Sequence, residues 1–281
     1  MNEISISNDW LLIDVSNLAY RSLYTMGGLS YDDLATGVVY GIFRDILYLT
    51  DRFGTNNIAF CFDCGSWRRK RLYSGYKSGR LRKLGEMTDE EAHARTDLRR
   101  QLNNLRNTWL PEMGFRNVFF DDGYEADDVI ASICRNHEEL GGKIIVSSDQ
   151  DLFQLLDEST IVFNPVSKVI TNRKSFEEKF KTRPDSWSMV KAIAGCSSDD
   201  IPGVKGVGEI TAIKFLRNEL KEESKAFQAI VNEHSSIRLF QKLTELPFPG
   251  CKKFELRGDS VTAVKWNKVM RSMGMESLVR K

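Results

Sequence analysis

The sequence has few histidines and no long apolar run. It contains three histidines, His93, His137 and His234, none near the acidic motifs described below, so a zinc site built on histidine is disfavoured. No run of roughly 18 apolar residues exists, which excludes a membrane-spanning helix. The first nine residues lack the basic start and apolar centre of a signal peptide. We therefore expect a cytoplasmic protein without a membrane partner.

The cysteines are scarce and odd in number. There are five, and an odd count without an export signal predicts free thiols. Cys61-x-x-Cys64 has no second pair and no histidine nearby. A zinc site at this pair is the less favoured alternative, and we expect Cys61 to pack in a strand that ends before Cys64.

An excess of charge of one sign is also absent, because the net charge is only +1. The charges are nevertheless segregated along the chain. Residues 66–85 carry eight Lys or Arg and no acid, whereas residues 121–128 carry five acids and no base. Two solvated faces are the simpler interpretation of such runs. Separated poles would also suit a protein that holds a polyanion with one and metal ions with the other.

Short apolar runs alternate with helical patterns. Four runs have the length and β-rich content of buried strands: Trp10–Ile13, Ile58–Phe62, Val118–Phe120 and Ile144–Val146. Apolar residues repeat at helical spacing between them, from Leu34 to Leu49 and from Ala126 to Cys134. This alternation predicts an α/β fold with a central, mainly parallel sheet flanked by helices.

Aspartates follow three of these runs closely. Asp14 and Asp63 come directly after two of them, and Asp149 follows a third after two serines. A single such residue is most simply a helix cap or a turn residue. Because ligands bind beyond the carboxyl ends of parallel strands, three of them favour a shared site at that edge.

Two further regions differ from the strand–helix pattern. Residues 66–113 predict a partly exposed helical excursion, in which Thr88 and Glu91 form a capping box at the start of a helix that continues to Leu110. From about Ser175 the pattern is mainly helical. We therefore divide the chain into an α/β domain, residues 1–175, and a helical region, residues 176–281.

The acidic residues predict a divalent-metal site. Glu125, Asp127 and Asp128 fall in the first turn of a helix, whose N-terminus favours an anion by roughly 0.3–1 kcal/mol. Two like charges 4 Å apart cost about 4 kcal/mol at an effective dielectric near 20, so the cluster needs cations or raised pKa values. Oxygen ligands suit Mg²⁺ or Mn²⁺, and carboxylates around such ions are typical of phosphodiester hydrolysis. An exposed acidic surface is the alternative.

A glycine-rich turn precedes a helix in the second half. Residues 201–208 read Ile-Pro-Gly-Val-Lys-Gly-Val-Gly. No Lys-Ser/Thr follows the last glycine, as a Walker loop requires, and no clear strand precedes the turn, as a dinucleotide site requires. A helix–hairpin–helix over about residues 192–216 that grips DNA backbone fits better. A purely structural turn remains the alternative.

Several segments together resemble the 5′-nuclease, or flap endonuclease, family, which includes the 5′→3′ exonuclease domain of bacterial DNA polymerase and free-standing phage enzymes. The segments occur in the family's order across residues 11–216. They are Leu12–Arg21, Phe60–Asp63 with Tyr76–Arg80, Gly123–Asp128, Ser148–Asp151 and Ala192–Gly208. The length of the chain favours the free-standing form.

The resemblance implies a PIN- or resolvase-like fold with a helical arch over residues 66–113. It also implies a catalytic set: Lys77, Arg80, Asp14, Asp63 and Asp127. Asp14, Asp63, Glu125 and Asp127 would serve one metal position, and Asp128, Asp149, Asp151 and Asp199 would serve the other, directly or through water. DNA contacts would come from Arg21, Arg69, Arg71, Lys77, Arg80, Lys83, Gly203, Val204, Gly206 and Gly208, with K⁺ at the glycine turn.

The implied activity is cleavage of 5′ flaps and 5′ ends of DNA, with RNA–DNA hybrid as a further substrate. The resemblance also implies that the protein acts as a monomer. Cys196 departs from the family pattern because it replaces a carboxylate of the second metal position, and Asp200 is an acid where Asn is usual. We therefore expect the second metal to be weaker. A non-catalytic DNA-binding protein on the same fold and a PIN-like ribonuclease are the two alternatives.

Overall fold

The architecture is an α/β sheet with helices on both faces, seen in a computed structural model that describes residues 8–32 and 34–280. Within these residues the main sheet has six strands in the order β5-β4-β1-β6-β7-β8. They are β1 Trp10–Asp14, β4 Asn57–Cys61, β5 Val118–Phe119, β6 Lys143–Val146, β7 Thr160–Phe163 and β8 Ile170–Thr171. A short hairpin pairs β2 Ser30–Tyr31 with β3 Leu34–Ala35.

The central strand β1 fixes the sheet. It pairs in parallel with β4 on one side and with β6 on the other. Five of the six strands are parallel, and the edge strand β8 runs antiparallel to β7. The predicted mainly parallel sheet is confirmed, including all four predicted strands. Strands β7 and β8 and the hairpin were not predicted, and Leu34 lies in β3 rather than in the helix that follows.

The two faces of the sheet bury separate hydrophobic clusters. Because side chains alternate along a strand, Leu12 of β1 packs in one cluster, while Leu11 and Ile13 pack in the other. The first is covered by helices α7 Ala126–Asn136, α9 Trp187–Ala194 and α12 His234–Thr244. The second is covered by α1 Val15–Met26, α2 Gly37–Phe53 and α13 Ala263–Ser272.

The predicted helical excursion leaves the sheet after β4. It consists of α3 Trp67–Leu72, α4 Ser78–Gly85, α5 Asp89–Asn104, a π-helical segment Leu105–Trp109 and α6 Leu110–Met113. The capping box is present, since Glu91 N donates to Thr88 Oγ1 at 3.2 Å and Thr88 N donates to Glu91 Oε2 at 2.8 Å. Gln101 anchors α5 to the body by accepting hydrogen bonds from two amides at the start of α2, Val38 and Val39.

The second half of the chain is mainly helical, as expected. It adds α8 Arg173–Phe180, α10 Glu209–Leu216 and α11 Lys225–Asn232 to the helices already named. Helices α9 and α10 flank the glycine turn. Because α12 and α13 pack on opposite faces of the main sheet, both halves contribute to each core, and the division at residue 175 stays a prediction. None of the helices in the described ranges is long and apolar enough to cross a bilayer.

Candidate functional site

The carboxyl ends of β1 and β6 meet at one edge of the sheet and present acids there. Asp14 ends β1, and Asp149 follows β6 by three residues. Ser147 joins them, because its hydroxyl donates to Asp14 Oδ2 at 2.8 Å and accepts from the amide of Asp149 at 3.1 Å. The predicted convergence of acids from separate strands is therefore present in the structure.

The N-terminus of α7 adds further carboxylates to this edge. The amide of Ala126 donates to Asp63 Oδ1 at 2.7 Å, which holds Asp63, two residues beyond the end of β4, against the first turn of α7. Burial, together with Asp63, raises the pKa of Asp14 to about 7. Burial also raises the pKa of Asp127 well above its usual range, and the charges of Asp149, Asp14 and Asp63 add to this shift. These four carboxylates thus share one electrostatic site.

A second group of ligands lies beside the first. Oxygen atoms of Asp151 and Asp199 and the sulfur of Cys196 all lie within 4.8 Å of one another. Burial, followed by the charge of Asp149, raises the pKa of Asp151 to about 7. Within the described part of the chain, this is the one group of three or more His, Cys, Asp or Glu side chains whose ligand atoms all lie this close before an ion draws them together. Cys196 belongs to it, although the sequence pattern suggested only a lost ligand.

Lys77 connects the two groups. Its ammonium lies 2.5 Å from Glu125 Oε1 and 3.4 Å from Asp199 Oδ1. Arg80 lies 3.6 Å from Asp199 Oδ1 and is largely exposed. Burial alone would raise the pKa of Glu125, but the positive charges of Lys77 and Arg69 lower it. The two cations that the resemblance placed in the catalytic set and among the DNA contacts therefore lie at the acidic edge.

Tyr76 is a site residue for which the sequence predicted no role. Its buried hydroxyl lies 2.7 Å from Glu125 Oε2 and 3.2 Å from Asp199 Oδ2, and donates to these carboxylates. Its position directly before Lys77 was the available signal. Tyr76 thereby holds one acid from each group in place.

The assignment of Asp128 to a metal position is wrong. Asp128 is fully buried, and Arg69 donates to both of its oxygens at 2.5 and 2.7 Å. The same oxygens accept the amides of Phe248 and Glu125. No lone pair is directed to the acidic edge because every direction around the carboxylate is used by these donors.

The DNA contact predicted for Arg69 is corrected by the same geometry. The residue is about 1% exposed, and its third hydrogen bond goes from Nε to the carbonyl of Leu243 in α12. Arg71, on the same short helix α3, is exposed and stays a predicted DNA contact. Arg21 pairs with the buried Asp45 at 2.6 Å, which joins α1 to α2. The side chain of Lys83 lies outside the described residues.

The glycine turn divides into a packed part and an open part. A Cβ on Gly203 would lie 2.3 Å from the backbone nitrogen of Gly195, so this glycine serves close packing of two chain segments. Val204 is buried, and its amide donates to the carbonyl of Ile193 at 2.7 Å, which corrects its predicted DNA contact. Gly206 and Gly208 have open space beside them, and Gly208 caps α10. Their predicted role in binding backbone stays open.

Two other charged residues of the site were not assigned a role from the sequence. Lys191 of α9 lies 3.0 Å from Glu209 Oε1 and 3.7 Å from Asp151 Oδ1. Asp200 accepts the amide of Gly79 at 2.8 Å and so joins α4 to the loop after α9. The sequence carried no signal for Lys191, because a lysine on an amphipathic helix is ordinarily solvated.

The donor set fits hard divalent cations. Buried carboxylates that raise one another's pKa lose this repulsion when a cation binds between them. Oxygen ligands predominate, as Mg²⁺ and Mn²⁺ require, and the one sulfur lies in the second group.

Comparison with known proteins identifies the family. Residues 9–181 match the 5′-3′ exonuclease, N-terminal resolvase-like domain. A 5′-3′ exonuclease of Mycoplasmopsis pulmonis is 33% identical over 80% of this chain and 71% of its own length. Thermostable DNA polymerase I of Thermus thermophilus is 33% identical over 74% of this chain, which spans only 24% of that longer protein.

Solved structures agree in fold. A zinc-bound T5 5′-exonuclease superposes with a TM-score of 0.74, at 21% identity over 85% of this chain and 90% of that one. A T5 D15 flap endonuclease in a complex with DNA and metal ions superposes with a TM-score of 0.73, at 18% identity over 96% of each chain. With its resolvase-like sheet and its acids gathered at one edge, the chain belongs to the 5′-3′ exonuclease family.

Proposed function

We propose that this protein is a divalent-metal-dependent, structure-specific 5′ nuclease that hydrolyses phosphodiester bonds of DNA, as a 5′→3′ exonuclease and 5′-flap endonuclease. The observation that carries the proposal is the acidic edge itself. Carboxylates from the strand ends and one helix start lie close enough for their charges to raise the pKa values of Asp14 and Asp127, with Lys77 beside them. Membership of the 5′-3′ exonuclease family supports the same activity.

The residues divide into metal ligands and phosphate contacts. Asp14, Asp63, Glu125 and Asp127 would hold one ion, and Asp149, Asp151 and Asp199 would contribute to the other. Such ions lower the pKa of a water nucleophile and stabilise the leaving oxygen.

Lys77 and Arg80 would bind the phosphate, since both cations already face Asp199 from the start of α4. Tyr76 would keep Glu125 and Asp199 oriented.

A basic groove beside the acidic edge supports a path for a 5′ single strand. The groove has a volume of about 400 Å³ and reaches Asp63. Three arginines line it, Arg95 and Arg99 on α5 and Arg106 on the π-helical segment that follows. Positive side chains next to a cleavage site suit a nucleic-acid backbone. The open glycines of the turn before α10 suit the duplex part, because the amides at a helix start bind phosphate.

The proposal extends to finer points that follow the family resemblance. The ions would be Mg²⁺ or Mn²⁺, with a second position weaker than the first, and K⁺ would bind at the glycine turn. RNA–DNA hybrid would be a further substrate. The protein would act as a monomer.

Cleavage of a 5′-labelled flap by Asp127→Asn tests the activity. We expect no product in Mg²⁺ or Mn²⁺ and unchanged flap binding, because the substitution removes a charge that a metal requires but keeps the side-chain shape. Asp185→Asn is the matched control. Asp185 is exposed, and its one ion pair among the described residues is with the exposed Arg183. Undiminished cleavage by Asp127→Asn would refute the proposal.

Cys196 favours a second candidate, a DNA-binding protein that does not cut. A thiol is a poor ligand for Mg²⁺, so the second position could fail to support hydrolysis. Wild-type protein that binds the flap tightly and leaves it intact in both metals would establish this candidate. Preference for RNA over DNA in the same assay would instead indicate the PIN-like ribonuclease.

A further inference from the structure

Cys196 is fixed within the second ligand group. Its sulfur lies with oxygens of Asp151 and Asp199, all within 4.8 Å of one another. The backbone around it is closed by two hydrogen bonds with Ile201, at 2.8 and 3.0 Å. Asp199 lies three residues later on a tight turn, and its own amide donates to the carbonyl of Cys196. The sulfur and the two carboxylates therefore have a defined geometry before any ion binds.

Positive side chains surround this group. Lys191 lies 3.7 Å from Asp151 Oδ1, and Lys77 and Arg80 lie 3.4 and 3.6 Å from Asp199 Oδ1. Lys77 and Lys191 also pair with Glu125 and Glu209, so these cations offset the two carboxylates only in part. A hard ion such as Mg²⁺ prefers oxygen ligands, and this group supplies two carboxylates and a neutral thiol, so the position is a poor one for it.

A thiophilic ion gains a thiolate ligand from Cys196, which a hard ion does not. When Zn²⁺ or Cd²⁺ binds, the thiol releases its proton to solvent and the sulfur becomes a thiolate ligand, which adds one negative charge to the group. The step needs no oxidant or reductant. Thiolate ligands select zinc-class ions, whereas carboxylates suit Mg²⁺ and Mn²⁺.

We propose that Asp151, Cys196 and Asp199 form a thiophilic metal site that binds Zn²⁺ or Cd²⁺ through the sulfur of Cys196 in preference to Mg²⁺. The first ligand group, around Asp14, Asp63 and Asp127, offers carboxylate oxygens and keeps the hard-ion preference. Any effect of this site on which metal supports catalysis rests on the proposed nuclease function, whereas the binding of Zn²⁺ or Cd²⁺ does not.

Titration of the full chain with Cd²⁺ tests the site directly. Cadmium bound to a thiolate gives a sulfur-to-metal charge-transfer band in the ultraviolet. We expect a band that saturates with one equivalent of Cd²⁺ in wild type and is lost in Cys196→Ser. In competition with Zn²⁺, we expect the Zn²⁺ affinity of Cys196→Ser to be at least about tenfold weaker than that of wild type. Cys64→Ser is the matched control, because Cys64 is a partly exposed thiol outside the ligand group and its loss should leave the band unchanged.

A second variant guards against misfolding. Cys196→Asp removes the band but supplies an oxygen, so Mg²⁺ binding at the second position should strengthen by calorimetry. A band that persists in Cys196→Ser, or a wild type without any band, would overturn the proposal. Flap cleavage in Mg²⁺ is measured on the same preparations. If the protein cleaves the flap but shows no charge-transfer band, only the thiophilic site is refuted. If it shows the band but does not cleave the flap, only the nuclease function is refuted.

Discussion

Single residues: a buried arginine explains a misassigned acid. Arg69 is about 1% exposed and donates to both oxygens of Asp128, and its guanidinium also lies 3.6 Å from Glu125. It lies over the ring of Phe248 as well, at 4.8 Å from the ring centroid. The planar fork of arginine suits such a bidentate pair, which lysine cannot reproduce. The pair thus joins α3, α7 and the loop after α12 at one point.

Arg69→Met should strongly destabilise the protein. It leaves the buried Asp128 charge without its partner, and breaking a buried pair costs about 3–5 kcal/mol. The measurement is the free energy of unfolding in urea. Arg71→Met is the control on the same helix, where an exposed side chain should change stability by less than about 0.5 kcal/mol. A loss below about 1 kcal/mol for Arg69→Met would show that the pair is not a main support of this region.

Adjacent acids of one helix cannot be separated by sequence alone. Asp127 and Asp128 are neighbours, but successive side chains of a helix point about 100° apart. Asp127 faces the acids of the strand ends, whereas Asp128 faces Arg69 and the chain after α12. The second partner lies 120 residues along the chain, so only the folded structure shows which acid is free for a metal.

Elements: the start of α4 is docked on the loop after α9. The amide of Lys77 donates to the carbonyl of Asp199 at 2.8 Å, and the amide of Gly79 donates to the side chain of Asp200 at 2.8 Å. Lys77 has a φ of +50°, which an L residue rarely adopts without such restraints. The base of the helical excursion is therefore held against the second ligand group.

Asp200→Ala should loosen this contact and slow cleavage. It removes the acceptor for Gly79, and we expect kcat on a flap to fall roughly tenfold, equivalent to about 1.4 kcal/mol. Metal affinity should not change. Asp200→Asn is the matched control, because asparagine keeps an acceptor oxygen and tolerates the φ of +55° found there. Faster hydrogen exchange at the Gly79 amide in Asp200→Ala alone would confirm the cause, and equal kcat values for both variants would contradict it.

The elements that sequence patterns missed are short or lack a clear period. Strand β8 and the strands of the hairpin have two residues each, too few for alternation to appear. Strand β7 reads Thr-Ile-Val-Phe and carries a plain β-forming composition, but no acid follows it to mark the sheet edge. The strands that bear the site were predictable because each is a buried apolar run that leads into an aspartate.

The whole molecule: buried acids couple its stability to pH. The pKa values of Asp14 and Asp151 are each raised to about 7 from 3.8. Between about pH 4 and 7 the folded chain therefore binds protons that the unfolded chain has lost, so stability falls as pH rises through this window. Metal binding requires the charged acids, and its stabilising effect should follow the opposite trend.

Urea unfolding at about pH 5.5 and pH 8, in EDTA and in Mg²⁺, measures both trends. Without metal, we expect lower stability at the higher pH. Added Mg²⁺ should restore stability at the higher pH and have little effect at the lower. In Asp14→Asn the metal-free pH dependence should flatten and the Mg²⁺ effect should shrink. A metal-free stability that rises over this range would contradict the assignment.

The last helix has a consequence for how the chain folds as it is made. Helix α13 places Trp266 and Met270 fully buried under the same sheet face as Leu11 and Ile13 of β1. The ring of Trp266 packs edge-on against Phe43 of α2 at 5.6 Å. A nascent chain can complete the acidic edge by about residue 200, when α1 and α2 already lie on this face, but the part that α13 covers stays exposed until residue 270 leaves the ribosome. Until then the partly made protein exposes an apolar surface that chaperones would recognise.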